Sequence, residues 1–161
     1  MKIIAPCRVS RTYTQKLVAG PAAVFPLLCP VREADWIEGW DPLVVITGSG
    51  VAEPDCVFVT PGNPKDAIWY ITRHEPESGS IQILKITPDV TACRLDIKVS
   101  PARGGAEATI SYTHTSLGPE GDEFVQSFTA EYYQLFMQEW EARINRYLAQ
   151  ARGQEPDPAV R

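Results

Sequence analysis

Two histidines are the side chains best suited to proton transfer near neutral pH, and both fall in segments that look extended. His74 lies in AIWYITRHE and His114 lies in EATISYTHTSL. Strand alternation puts His114 on the same side as Ile110 and Tyr112, so its ring is expected to face the interior as a candidate general acid or base. His74 lies near a turn and is expected to be exposed.

The segment PVREADWIEGW, residues 30–40, combines two indoles with acidic and basic side chains. Trp36 and Trp40 are four residues apart and share a face if the segment is helical. They either form the wall of a ligand cavity or fasten the segment to the sheet. Arg32 and Glu33 are candidates for binding or acid–base chemistry. Simple ion pairing at a helix start explains the same charges, and the residues alone leave these alternatives open.

The cysteines indicate neither a metal site nor a nucleophile. Cys7, Cys29, Cys56 and Cys93 are widely spaced, without a CxxC or CxxH pattern. None adjoins a histidine or an evident activating helix start, so we expect free thiols and no metal. The TGSG and ARGG sequences lack a following helix that would present N–H groups to a phosphate. No cofactor is predicted.

The charge and hydropathy patterns argue against several classes of partner. The formal net charge is −5, and acidic and basic residues are interspersed, so no basic surface for nucleic acid is expected. No apolar run approaches the roughly 20 residues that span a bilayer, and the first residues do not resemble a signal peptide. We therefore expect a cytoplasmic protein with no membrane span and no nucleic-acid partner.

The elements that must position these side chains are one strand, two short helices, a meander of six strands and a long helix. Runs of β-branched and aromatic residues, separated by Gly, Pro, Asp and Asn, predict the strands. Their ranges are 8–18, 43–48, 56–60, 67–75, 80–87, 93–100 and 107–117. The short helices are predicted within 21–29 and 31–40, because Pro21 suits a first helical position and Pro30 ends the first helix.

The last helix, predicted over residues 124–150, has one broad apolar face. A single sheet must bury one side against this helix, and large aromatic side chains can hold the curved sheet away from the helix axis. The sequence therefore predicts an internal cavity that could bind a ligand. The expected cavity residues are Trp36, Trp40, Phe58, Trp69, Tyr112, Tyr133, Phe136, Met137 and Trp140.

Three segments and the order of elements resemble the SRPBCC superfamily. The segments are VAGPAAVFPLLCPVREADWIEGWDPL, GSGVAEPDCVFVT and SYTHTSLGPEGDEFV. The PxRExxWIxGW pattern is particularly similar to a bacterial subgroup of uncharacterised proteins. The resemblance implies an α+β helix-grip fold, also called START-like. In that fold a seven-stranded curved antiparallel sheet wraps around a long C-terminal helix, with two short helices between strands 1 and 2. It implies one domain over residues 1–151, and the Gly- and Pro-containing residues 152–161 are expected to form a flexible tail.

The resemblance leaves three functions open, because the superfamily includes lipid carriers, polyketide cyclase/dehydrase-like enzymes and chaperone-ATPase activators. The first is binding of a small hydrophobic, aromatic or lipid-like ligand in the cavity. The second is an enzyme in which His114, Glu33 or a tyrosine moves protons on a polyketide-like substrate. The third is a protein-interaction module, which should expose a contiguous apolar or charged patch. A homodimer also remains open.

Overall fold

Seven antiparallel strands form one curved sheet in the computed structural model, which describes residues 1–153. The order across the sheet is β1-β7-β6-β5-β4-β3-β2, so β1 and β2 lie at opposite edges. The predicted fold class is confirmed. The strands are β1 (Arg8–Leu17), β2 (Val44–Ile46), β3 (Val57–Thr60), β4 (Ala67–Glu75), β5 (Ser80–Thr87), β6 (Thr91–Ala102) and β7 (Gly105–Ser116).

Short helices connect the two edge strands, as predicted, but they are shorter than expected. Helix α1 is Pro21–Val24 and continues as a 3-10 turn at Phe25–Leu27. Pro26 has no N–H for an α-helical hydrogen bond, so the chain tightens there instead of extending α1 to residue 29. The second predicted helix is a single 3-10 turn at Arg32–Asp35.

The long helix predicted over residues 124–150 is two helices. Helix α2 is Pro119–Ser127 and helix α3 is Ala130–Gly153. They are separated at Thr129, whose Oγ1 accepts a hydrogen bond from the backbone N–H of Tyr132 at 3.1 Å and so caps the start of α3. Pro119 begins α2 between the last predicted strand, which ends at residue 117, and the predicted helix start at residue 124.

Buried hydrogen bonds hold α3 over the β1–β7 side of the concave face. The Gln15 side chain donates to the carbonyl of Met137 at 3.0 Å, and the Tyr133 hydroxyl donates to the carbonyl of Ile110 at 2.5 Å. Further along α3, the Asn145 side chain donates to the carbonyl of Lys16 at 2.9 Å. Because α3 is fixed above one side of the sheet, the inner face of β3, β4 and β5 remains partly uncovered.

Helix α3 includes residues 152 and 153, where the tail was predicted to begin. The rest of the predicted tail, 154–161, lies outside the described residues. Within residues 1–153, no helix is both long and apolar enough to cross a membrane.

Candidate functional site

A cavity of about 440 Å³ lies between the concave sheet, the α2–α3 junction and the segment that links β1 to β2. This volume falls in the range of about 300–1,000 Å³ that is usual for small-molecule sites. Most of its wall is apolar, and aromatic side chains come from all three sides. The aromatic wall residues are Trp40, Phe58, Trp69, Tyr112, His114, Phe124, Phe128, Tyr132, Phe136 and Trp140.

One row of cross-strand neighbours forms the sheet side of the cavity near its α2 end. Strand pairing places Phe58 beside Trp69, Trp69 beside Lys85, Lys85 beside Cys93 and Cys93 beside His114. Directly paired residues point to the same face of a sheet, so all five side chains face inward. The row brings together residues that are far apart in the chain.

Stacked and edge-on rings hold this wall in place. Phe58 stacks on Trp69 with ring centroids 5.3 Å apart, and Trp40 meets Phe58 edge-on at 6.5 Å. On the helix side, Phe136 meets Trp140 edge-on at 5.4 Å. These ring–ring contacts hold the aromatic side chains in position while their remaining surfaces line the cavity.

Both indoles of the 30–40 segment fasten the chain, but only one reaches the cavity. The Trp40 indole N–H donates to the carbonyl of Pro30 at 2.7 Å, and that of Trp36 donates to the carbonyl of Leu27 at 3.0 Å. Trp40 also lines the cavity, whereas Trp36 is buried behind the ring of Trp140. The two alternatives for these tryptophans are therefore both realised in Trp40.

Glu33 is the ionisable group of this segment that faces the cavity. Its carboxyl lines the wall and has no hydrogen-bond or ion-pair partner among residues 1–153. Burial raises the pKa of Glu33 to about 8, because ionisation in apolar surroundings is unfavourable. The Glu33 carboxyl is therefore mostly protonated at pH 7. It can donate its proton to a bound molecule and, once ionised, accept one back.

Arg32 lies outside the cavity wall. Its guanidinium donates to the Asp35 carboxylate at 2.6 Å and to the Tyr147 hydroxyl at 3.5 Å. The hydrogen bond with Asp35 is the main reason that the pKa of Arg32 is raised. The ion pair with Asp35 explains the position of the Arg32 side chain, which does not line the cavity.

His114 is buried on the inner face, as strand alternation predicts. Its ring lies 4.8 Å from that of Phe124 and 4.6 Å from that of Phe128, and its Nδ1 has no hydrogen-bond partner in the described chain. Burial lowers the pKa of His114 to about 4, so the imidazole is neutral at pH 7. Although it lines the cavity, it is rarely protonated at pH 7, and its lowered pKa makes it a weak general base there.

The expectation that no cysteine adjoins a histidine holds along the chain but not across the sheet. The Sγ of Cys93 lies 3.8 Å from Nε2 of His114. Burial raises the pKa of Cys93 to about 12, whereas an activated nucleophile needs a lowered one. This pair is therefore a neutral thiol beside a neutral imidazole.

His74 is half-buried rather than exposed, and its ring packs 5.0 Å from that of Phe25. The reason is a register shift between Ile71 and Arg73, where β4 contains one extra residue relative to β5. The extra residue reverses the alternation, so His74 pairs with the buried Ile81 and faces inward.

Six of the nine predicted cavity residues line the wall and three do not. Trp40, Phe58, Trp69, Tyr112, Phe136 and Trp140 line it. Trp36, Tyr133 and Met137 are buried in the filled core, where Tyr133 bonds the backbone of β7 and Met137 has no exposed surface.

Sequence reasoning missed Lys85, Tyr132 and the two phenylalanines of the α2–α3 junction, Phe124 and Phe128. Lys85 follows Ile81 and Ile83 at alternate positions of β5, and this alternation is the signal that could have placed it inside. The placement of Phe124 and Phe128 in the wall depends on the break between α2 and α3, which the pattern of apolar residues does not indicate.

Comparisons with known proteins found matches among solved structures only. No protein family model matches the chain, and no curated protein sequence matches it. Solved structures do match. Norcoclaurine synthase from Thalictrum flavum, in complex with dopamine and hydroxybenzaldehyde, aligns with a TM-score of 0.65 at 13% identity over 93% of this chain and 97% of that one.

Two further structures align over similar lengths. Ara h 8.0201 gives a TM-score of 0.60 at 16% identity over 89% of this chain and 99% of that chain. An uncharacterised protein from Rhizobium leguminosarum gives 0.64 at 12% identity over 92% of this chain and 99% of that chain. The chain has the helix-grip fold. At these identities the likeness to solved structures shows the architecture that the sequence resemblance predicted, and it shows the fold alone.

Proposed function

We propose that this protein binds a small hydrophobic or aromatic, lipid-like molecule in the cavity between the sheet and α2–α3. The observation that carries the proposal is the cavity of about 440 Å³ with aromatic side chains on three sides. Transfer of an apolar molecule from water into such a space is favourable by about 25 cal/mol per Å² of apolar surface removed from water. Norcoclaurine synthase, which shares the architecture, is seen with dopamine and hydroxybenzaldehyde.

A blocked cavity should lose the ligand. Ile37 lines the wall and is half-buried, so Ile37→Trp adds an indole that occupies part of the space. Native mass spectrometry after gentle purification should find a retained small molecule on the wild type and much less on Ile37→Trp. Leu135→Trp is the matched control, because Leu135 is exposed on α3 and does not line the cavity. Equal retention by Ile37→Trp and wild type would contradict binding in this cavity.

An acid–base enzyme is the second candidate, and the carboxyl of Glu33 favours it. A carboxyl with a pKa of about 8 inside an aromatic cavity is poised for proton transfer near neutral pH. The Tyr112 hydroxyl also lines the wall, and burial, foremost, raises its pKa, so it remains a proton donor. His114 contributes less, since its lowered pKa makes the neutral imidazole a weak proton acceptor.

Glu33→Gln separates the enzyme from the carrier. The amide keeps the size of the carboxyl but cannot exchange a proton, so an enzyme blocked in this way should retain substrate where the wild type retains product. Mass spectrometry of the extracted compounds would then show two different molecules. The same compound at the same occupancy on both proteins would favour carriage without proton chemistry.

The free thiols support the cytoplasmic localisation that we propose. Cys29, Cys56 and Cys93 are buried and unpaired in the described chain. Unpaired thiols are the usual state in a reducing compartment.

A further inference from the structure

Lys85 is a cationic side chain inside the aromatic cavity, and no acidic residue within residues 1–153 pairs with it. Its Nζ lies 4.6 Å from the centroid of the Trp69 ring, and this cation–π contact holds the ammonium group over the wall. Burying an amino group without a counter-charge is unfavourable, and for Lys85 burial lowers the pKa. The cation–π contact offsets only part of this cost, which leaves the ammonium group open to an anionic partner.

The other ionisable groups of the inner wall do not balance this charge. Burial keeps Glu33 mostly protonated and His114 neutral at pH 7. Asp41 lies at the exposed rim and makes no ion pair with Lys85. The inner wall is therefore apolar with one positive centre beside Trp69 and Phe58.

We propose that the ligand of this cavity is a flat apolar molecule with one anionic oxygen group, such as a carboxylate, that pairs with Lys85. The inference rests on the proposed function and adds the chemical class of the ligand. The rings would pack against Phe58, Trp69 and Trp40, and the anion would accept hydrogen bonds from the ammonium group. A charge-assisted bond shielded from water discriminates strongly against a neutral molecule of the same shape.

Two fluorescent probes with the same rings test this directly. 1-Anilinonaphthalene-8-sulfonate carries a sulfonate, and N-phenyl-1-naphthylamine is the same molecule without it. The wild type should bind the sulfonate about tenfold or more tightly than the neutral probe. Lys85→Met keeps most of the side-chain volume and removes the charge. It should weaken sulfonate binding about tenfold or more and leave binding of the neutral probe unchanged.

Two controls locate the effect. Lys98→Met removes an exposed lysine from β6 outside the cavity, and Ile68→Thr alters the outer apolar face, so both should leave both affinities unchanged. Equal binding of the two probes by the wild type, or equal weakening of both by Lys85→Met, would overturn the anionic ligand while leaving a hydrophobic cavity intact. Binding of neither probe would overturn the anionic ligand together with the proposed function.

The outer face of the sheet carries a second, independent feature. Outward positions of β2 to β5 form two adjacent cross-strand rows of apolar side chains with no charge among them. Outward positions of β1 and β7 carry hydroxyl or charged side chains instead. We call the apolar rows the outer patch; its members are Val44, Val59, Ile68 and Ile86 in one row and Ile46, Val57, Tyr70 and Leu84 in the other.

The exposed area of the outer patch supplies more than half of what one partner buries in a standard protein interface. Six of its eight members are between 37% and 61% exposed. At roughly 200 Å² for a fully exposed large side chain, they present about 500 Å² of the ~800 Å² that one partner buries in a standard interface. A polar rim would supply the rest.

The geometry points to a second copy of this chain as the occupant. The rows carry no charge of their own, and the Asp55 carboxylate beside them accepts a hydrogen bond from the Tyr70 hydroxyl. An apolar face of this kind can meet a second copy of itself under two-fold rotation, with the two sheets stacked face to face. A partner with a charged surface would find no opposite charge among the side chains of the two rows.

Sedimentation equilibrium over a wide concentration range tests the dimer. The wild type should be dimeric at high concentration, and Ile68→Lys, which places a charge in the middle of the outer patch, should be monomeric. Thr14→Lys is the matched control, because Thr14 is exposed on the outer face of β1, and it should remain dimeric. A monomeric wild type at all concentrations, or a dimer that survives Ile68→Lys, would overturn this assignment. Circular dichroism checks that each variant is folded.

Discussion

At the scale of single residues, burial rather than ion pairing sets the chemistry of the cavity. Glu33, His114 and Lys85 all line the wall, and for each of them burial is the first cause of the pKa shift. Burial disfavours the charged form of every group, so it raises the pKa of an acid and lowers that of a base. The cavity is consequently less charged at neutral pH than its residue types suggest.

Glu33 should make stability fall as the pH rises. Its pKa is about 8 when folded against 4.5 for the ordinary group, so between those values the folded state binds one proton more than the unfolded state. Stability therefore decreases from about pH 5 to pH 8. Relative to wild type, Glu33→Gln should gain about 3 kcal/mol on going from pH 5 to pH 8.5, measured by urea unfolding. A parallel pH profile for the two proteins would show that the carboxyl is solvated.

His114 should act in the opposite direction and in a lower pH range. Its folded pKa of about 4 lies below the ordinary 6.5, so the unfolded state binds more protons and stability is lost as the pH falls from 6.5 toward 4. Since Phe124, Phe128 and Tyr112 surround the ring, His114→Phe should fit. Its unfolding free energy should stay within about 1 kcal/mol of wild type at pH 7 and exceed it by about 2 kcal/mol at pH 5. A large loss at pH 7 would indicate that Nδ1 is hydrogen-bonded in solution.

At the scale of elements, the break between α2 and α3 determines the helix side of the cavity. The break lets Phe128 turn into the core, where it is 4% exposed, while Phe124 and Phe128 stack with centroids 5.8 Å apart. In a continuous helix Phe124 and Phe128 would share a face, because they are four residues apart, but at 100° per residue Phe128 would lie about 180° from the buried Met137 and point away from the sheet.

Thr129 should stabilise this break through its cap. Its hydroxyl accepts from the N–H of Tyr132, so Thr129→Ala should lower the free energy of unfolding by about 1 kcal/mol. Thr129→Ser keeps the hydroxyl and should stay close to wild type in the same urea titration. Equal destabilisation by both substitutions would assign the effect to packing of the methyl group.

At the scale of the whole molecule, the apolar side chains that line the cavity are incompletely packed, so part of their possible hydrophobic stabilisation is not realised. Ile97 lines it, whereas its cross-strand partner Ile110 is fully buried in filled core. Ile97→Phe should therefore add contacts in open space, raise the melting temperature by a few degrees and reduce ligand retention. Calorimetry and native mass spectrometry measure the two effects.

Ile110→Phe is the internal control for that experiment. The same added volume at a closed position forces neighbouring side chains apart and should destabilise by about 1–3 kcal/mol. If both variants were destabilised alike, the space beside Ile97 would be closed in solution.

Several elements followed from local pattern alone. The bounds of β4 and β5 match their predicted ranges, because alternating β-branched residues end at strong turn residues on both sides. The inward direction of His114 followed from the same alternation. The inward direction of His74 did not follow from the alternation, because β4 contains one extra residue. That residue cannot be recognised from composition, yet it reverses the face of every residue after it.

The sequence by itself determined the architecture, the apolar helix face and most of the aromatic wall, because these depend on periodicity and turn chemistry along the chain. Only the tertiary structure decided which side chains face the cavity. Strand register brought Lys85, Cys93 and His114 into one row, and the link between opposite sheet edges carried Glu33 to the wall. The physical reason is that a pKa and an ion pair depend on distance and solvent access, which are set by contacts between residues far apart in sequence.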